Sequence, residues 1–183
     1  YIRTERTDAG YMLKVSSEIS GSEFDAVAYT VFDKNGTAVV SRTTDAAADT
    51  VEIEVESPDE WDIDNPVCYV LRAELLCNGQ AVDCINTRFG FRTIEFNSDS
   101  GFYLNGRHVK LNGVCMHHDL GALGAAVNKA ALYRQLKMMK DMGANAIRTS
   151  HNMPAVELLD IADEIGLLVD NEAFDMWKMP KNR

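Results

Sequence analysis

The chain has 183 residues, 46% of them apolar, enough for one sizeable domain or two small ones with a buried core. A formal net charge of −10 excludes a general nucleic-acid binder, which needs clustered cations to displace phosphate counterions. No apolar run nears the ~20 residues of a membrane-crossing helix, and Tyr1 is followed at once by charged residues, so a soluble chain is expected, cytoplasmic or periplasmic, with no membrane partner.

The charge is uneven. Residues 1–96 hold 8 Lys and Arg against 18 Asp and Glu, whereas residues 97–183 hold 10 against 10, a first sign of two domains. From Gly10 to Phe96 the chain is a series of short runs, "YMLKVSSEI", "DAVAYTVFD", "DTVEIEVES", "VCYVLRAELLC" and "QAVDCINTRFGF", rich in β-branched and aromatic residues with much period-two alternation. Asn35-Gly36 and Asn78-Gly79 supply hairpin turns. Strands at this spacing predict an all-β sandwich of immunoglobulin type over residues 1–97, without the Cys–Trp–Cys hallmark of antibody domains. A two-residue turn at Asn78-Gly79 pairs Cys77 with Gln80 and Cys84 with Ala73, out of register for a disulfide, so Cys68, Cys77, Cys84 and Cys115 are expected as thiols.

The stretch "EFNSDSG", residues 95–101, reads as a polar, flexible connection, and after it the period changes. An extended run over residues 107–116 precedes a loop. Asn128 then caps a helix carrying Leu132, Leu136 and Met139 on one face and ending before Gly143. A strand follows at residues 144–148. Pro154 suits the first turn of a second helix with Leu158, Leu159, Ala162 and Ile165 on one face, Gly166 closes it, and a third strand, "LLVD", comes next. Strands and helices alternating through short connections predict parallel βα units over residues 98–183.

In such folds ligands bind outside the carboxyl ends of the strands. All three predicted ends, "VCMHHD", "IRTSHN" and "VDNEAFDMW", carry polar or titratable groups. Arg148 closing a buried strand needs a carboxylate or a ligand, since burying a guanidinium alone is expensive. His117 and His118 also fit a solvated loop, and His151 and Asn152 also fit a helix cap. Glu172 and Asp175 beside Trp177 suit a sugar, whose ring stacks on an aromatic face while its hydroxyls bond to polar groups. Cys115 and His117, two apart on a strand and near His118, Asp119 and His151, raise a zinc site. The His-x-His ending that metal-dependent barrel hydrolases favour is missing, so no metal is expected, and no cofactor.

Three segments carry a family resemblance: "RFGFRTIEF", then "GFYLNGRHVKLNGVCMHHD", then "NAIRTSHNMPAVELLDIADEIGLLVDNEAFDMW" with its Asp163 and Gly166. They resemble consecutive signatures of glycoside hydrolase family 2, its β-galactosidases above all. The resemblance implies a jelly-roll domain, an immunoglobulin-like sandwich and a (β/α)₈ barrel in that order. Residues 1–97 match the sandwich and 98–183 about three βα units of a TIM barrel; the jelly-roll has no counterpart here. Family members retain anomeric configuration, using one glutamate as acid/base and a second as nucleophile about 5 Å apart. By the resemblance these end the fourth and seventh barrel strands, so neither falls within this chain, and Glu172, although it follows Asn171, is not the acid/base.

The resemblance leaves a supporting shell. Arg148 matches the arginine that bonds to the nucleophile carboxylate, and His117 and His151 match histidines that bind the sugar and stabilise developing charge; Asn152 stands where many relatives have tyrosine. The magnesium ligands of some members would fall at Met176 and Lys178, which cannot serve. The implied function is cleavage of terminal β-linked sugars by a longer parent, the 183-residue chain being inactive. Two other classes compete: a non-catalytic carbohydrate- or protein-binding module, and a metal-dependent barrel hydrolase. Three parallel strands would also leave an open edge, which calls for a covering partner such as a second copy of the chain.

Overall fold

A computed structural model describes residues 1–21, 24–45 and 50–173. The chain divides into two compact units, one made of residues 1–62, 67–96 and 103–107, the other of residues 63–66, 97–102 and 108–183. Each is an independent piece of packing.

The first unit is an immunoglobulin-like sandwich. Strands β1 (Ile2–Arg6), β2 (Gly10–Ser16) and β5 (Thr50–Glu56) form one sheet in the order β1-β2-β5. Strands β3 (Ala26–Phe32), β4 (Ala38–Asp45), β6 (Tyr69–Cys77) and β7 (Gln80–Phe89) form the other in the order β4-β3-β6-β7, every pairing antiparallel. Alternation builds the core. Tyr11, Leu13 and Val15 from β2 and Val51, Ile53 and Val55 from β5 meet Val27, Tyr29 and Val31 from β3 and Tyr69 and Leu71 from β6. Phe91 is fully buried and gathers Tyr11, Tyr69 and Phe89 around its ring at centroid distances of 5.2, 5.0 and 5.1 Å.

The Asn78-Gly79 turn forms as the sequence predicts, whereas the ladder beyond it and the Asn35-Gly36 loop differ from the expectation. Asn78 and Gly79 both have positive φ, 51° and 78°, and close β6 onto β7 with Cys77 opposite Gln80. A bulge at Leu75/Leu76 then slips the ladder by one residue, so Cys84 faces Glu74 rather than Ala73. Cys77, Cys84 and Cys115 are free thiols. Asn35-Gly36 is not a two-residue turn: β3 ends at Phe32 and β4 starts at Ala38, with the Asp33 carboxylate accepting from the Asn35 and Thr37 amides at 2.8 Å each. Those bonds, Thr37's first, hold the Asp33 carboxyl below the usual carboxylate range.

The polar stretch after Phe91 is also ordered. Strands β8 (Ile94–Asn97), β9 (Gly101–Leu104) and β10 (Arg107–His108) form a small sheet in the order β10-β9-β8. The Asn97 side chain accepts from the Asp99 and Ser100 amides at 2.9 and 3.0 Å, so residues read as a flexible connection are a side-chain-stabilised turn.

The second unit is the start of a TIM barrel: a parallel sheet in the order β11 (Gly113–His117), β12 (Ala146–Ser150), β13 (Leu168–Asn171), with helices α1 (Lys129–Asp141) and α2 (Val156–Ile165) as the connections. Asn128 caps α1 by accepting from the Ala131 amide at 3.0 Å. Pro154 lies outside α2, which starts two residues later behind Ala155, a cap residue in extended conformation with no side-chain bond. Leu132 and Leu136 of α1 and Leu158, Ile161 and Ala162 of α2 pack with Ile147, Leu167, Met116 and Val169 into one core. The helices therefore cover the face of the sheet that carries Ile147, and the other face begins with Gly113, Ala146 and Leu168 and turns polar toward the carboxyl ends of the strands.

Candidate functional site

Register decides which side chains share the polar face. Residues level with one another in a parallel sheet point the same way, and Cys115, Arg148 and Asp170 are level across the three strands. His117 and Ser150 are level two residues further on. Glu172, two past Asp170, continues the same phase beyond the end of β13. Strand β12 runs on to Ser150, so Arg148 lies inside the strand rather than at its end, with His151 immediately after it.

Arg148 is the hub. Its Nη2 stands 2.7 Å from Glu172 Oε2 as an ion pair, and that oxygen accepts no hydrogen bond among the described residues. Its Nη1 donates to Ser150 Oγ at 3.3 Å and to Cys115 Sγ at 3.7 Å. Asp170, largely exposed, lies 3.9 Å from Nε, a pair that solvent screens. The Cys115 sulfur first, and then the Glu172 charge, hold the guanidinium above its usual value, so it stays a cation. In return the Ser150 hydroxyl first, and then Arg148, bring the Cys115 thiol below its usual value.

Glu172 also reaches His151, its Oε1 lying 3.3 Å from Nδ1. The Glu172 backbone amide donates to Thr149 Oγ1 at 3.0 Å, and that buried hydroxyl donates to Asn171 Oδ1 at 3.4 Å, which anchors the end of β13 on β12. The His117 ring stands edge to face with His151, centroids 5.4 Å apart. Arg148, His151, Glu172 and His117, named separately from the sequence, thus form one cluster at the carboxyl ends of three parallel strands.

Other residues named from the sequence fall elsewhere. Asn152 is exposed and does not cap α2; with His117 and Ser150 it lines a small hollow. His118 turns to its own loop, its Nε2 3.0 Å from the Ala125 carbonyl oxygen. Asp119 accepts from the Gly121 amide at 2.7 Å. Asp175 and Trp177, like Met176 and Lys178, lie outside the described residues. Among the described residues, no three His, Cys, Asp or Glu side chains converge closely enough to hold a metal ion. Ser150, Thr149 and Asp170 were not among the residues singled out by sequence. The available signal was the period of two: Asp170 precedes Glu172 by two residues, and Ser150 follows Arg148 by two.

Comparison with known proteins decides the family. The family model for the TIM barrel domain of glycosyl hydrolases family 2 matches residues 96–179, and a second model, glycosyl hydrolases family 2, matches residues 4–92. The chain belongs to glycoside hydrolase family 2. A family 2 relative, β-galactosidase BoGH2A of Bacteroides ovatus, is 51% identical over 132 residues, which cover 72% of this chain and 16% of that protein. A protein named putative β-glucuronidase, from Formosa agariphila, is 39% identical over 170 residues, covering 91% of this chain and 16% of its own length. Among solved structures, a β-glycosidase from Bacteroides vulgatus superposes with a TM-score of 0.92 at 34% identity, over 99% of this chain and 24% of that one. This family 2 chain therefore spans a sixth to a quarter of the length of these relatives. No helix among the described residues is long and apolar enough to cross a membrane.

Proposed function

We propose that the chain is the sandwich, residues 1–97, and the opening of the catalytic barrel, residues 98–183, of a retaining glycosidase that cleaves terminal β-linked sugars, β-galactosides first. The observation that carries this is the Arg148–Glu172–His151 cluster at the carboxyl ends of β11 to β13, the end of a parallel barrel at which substrates bind. A cation within ~4–6 Å keeps a carboxylate ionised and favours its attack on the anomeric carbon. Arg148 is suited to that task, with His117 and His151 binding sugar hydroxyls and Asn152, Glu172, Asp175 and Trp177 completing the shell. The acid/base and nucleophile glutamates come from later strands of the parent, so this chain alone does not turn over. Strands β11 and β13 are the edges of the described sheet, and further barrel strands or a second copy of the chain would cover them.

The test uses a longer gene product that contains this chain, offered nitrophenyl β-galactoside and nitrophenyl β-glucuronide, with the anomer of the first-formed sugar read by NMR. Faster turnover of the galactoside with β-anomer released first is expected. Release of the α-anomer, or cleavage of neither substrate, would refute the assignment; preference for the glucuronide would move the sugar class to that of the Formosa relative's name.

A further inference from the structure

We propose that Glu172 is a positioning residue that locks the neutral His151 ring in one tautomer, with the proton on Nδ1 and the bare lone pair on Nε2. Resting on the glycosidase reading above, the consequence is that His151 accepts a hydrogen bond from a sugar hydroxyl rather than donating one.

The chain of reasons starts at Arg148. Its guanidinium stands 2.7 Å from Glu172 Oε2, and the Glu172 side chain is 17% exposed, so a half-exposed cation faces a largely covered carboxylate. A carboxylate has lone pairs only. Its second oxygen, Oε1, lies 3.3 Å from His151 Nδ1, and an acceptor at that nitrogen calls for a proton on it. A neutral imidazole carries one N–H, so Nε2 is left as the acceptor. An unconstrained histidine in water prefers the opposite arrangement, with the proton on Nε2, so the effect of Glu172 is a reversal and can be seen. The Glu172 backbone is anchored on β12: its amide donates to Thr149 Oγ1 at 3.0 Å, and Thr149 is 4% exposed. With 44% of its side chain exposed, His151 remains open to a ligand.

The assignment yields a choice of hydrogen-bond partner. An Nε2 lone pair takes the proton of an alcohol, and it repels an ether or carbonyl oxygen, so the ligand group it selects is a free hydroxyl.

The experiment is a long-range ¹H–¹⁵N correlation spectrum of the ¹⁵N-labelled 183-residue chain at alkaline pH with the rings neutral, His151 being assigned by loss of its signals in His151→Gln. In the unaltered chain His151 should show a pyrrole-like Nδ1 and a pyridine-like Nε2. In Glu172→Ala the pattern should invert to a majority of Nε2–H. Should that variant unfold, Glu172→Asp, which keeps the charge but shortens the reach to Nδ1, carries the same expectation. An Nε2–H majority in the unaltered chain, or an unchanged pattern in the folded variant, overturns the proposal. The readout needs no turnover, so it stands or falls apart from the galactoside assay.

Discussion

Gly166 ends α2 with φ of 76° and ψ of 52°, a left-handed conformation in which a Cβ added to it would lie 2.3 Å from the Ile63 carbonyl oxygen. Both features penalise Gly166→Ala. The backbone conformation costs a non-glycine residue roughly 1–2 kcal/mol. The clash is with backbone, which cannot swing aside as a side chain would, and Lys140 Nζ ties the same two strands of chain together by donating to Ile63 O at 2.5 Å and Gly166 O at 2.8 Å. Relieving such an overlap costs roughly 1–3 kcal/mol more. Gly143 is the control: its φ is 97°, it lies in the same unit, and nothing stands within 4 Å of its added Cβ, so Gly143→Ala bears the first cost alone. Urea unfolding followed by circular dichroism compares the two. With a slope of about 2 kcal/mol/M, the midpoint of Gly166→Ala should fall about 0.5–1.5 M below that of Gly143→Ala. Equal midpoints would show that the Ile63 contact contributes nothing.

Leu136 is completely buried between the helices and the sheet, so Leu136→Ala should lose about 2–5 kcal/mol, while Met138→Ala, 56% exposed on the same helix, should stay within about 0.5 kcal/mol; equal losses by urea titration would contradict the packing described. Because the Ser150 hydroxyl and then the Arg148 cation stabilise the Cys115 thiolate, iodoacetamide should alkylate Cys115 with a half-maximal pH below the ordinary thiol value of about 8.5, and Ser150→Ala should move that midpoint upward. A midpoint at or above the ordinary value counts against the cluster. In a longer gene product, Arg148→Met should lower kcat for a nitrophenyl β-galactoside by roughly 10²–10³-fold with a smaller change in KM, and an unchanged kcat would remove Arg148 from the machinery.

Strands with two unequal faces were legible in the sequence. In β5 every second residue is apolar and buried, and in β2 Tyr11, Leu13 and Val15 follow the same rule with Met12 the out-of-phase exception, so the pattern and the packing nearly coincide. The edge strands were not: β1 reads "IRTER" and β4 "AVVSRTTD", and no residue of either is fully buried, so no core face marks them. The bulge at Leu75/Leu76 leaves no local mark either, since an inserted residue changes register without changing composition. Both helices were legible from their apolar faces, but only the start of α1 was marked, by Asn128, whose side chain caps it; α2 starts behind Ala155, which has no cap to offer.

At the site, residue type was enough to single out Arg148, His151 and Glu172. What could not be read was which of their neighbours they touch, because that depends on how three strands align. Cys115 lies 33 residues from Arg148 and meets it only through the β11–β12 register, while Ser150 and Thr149 look like any hydroxyl pair until the parallel ladder turns one toward Arg148 and the other toward Asn171.

The central claim is that this chain carries the supporting shell of a glycosidase without its two reacting carboxylates. It is tested most directly by incubating the purified 183-residue chain at high concentration with nitrophenyl β-galactoside. Release of nitrophenol at the buffer rate is the predicted result; turnover above it that follows chain concentration and disappears in Glu172→Gln would contradict the claim and make Glu172 a reacting group.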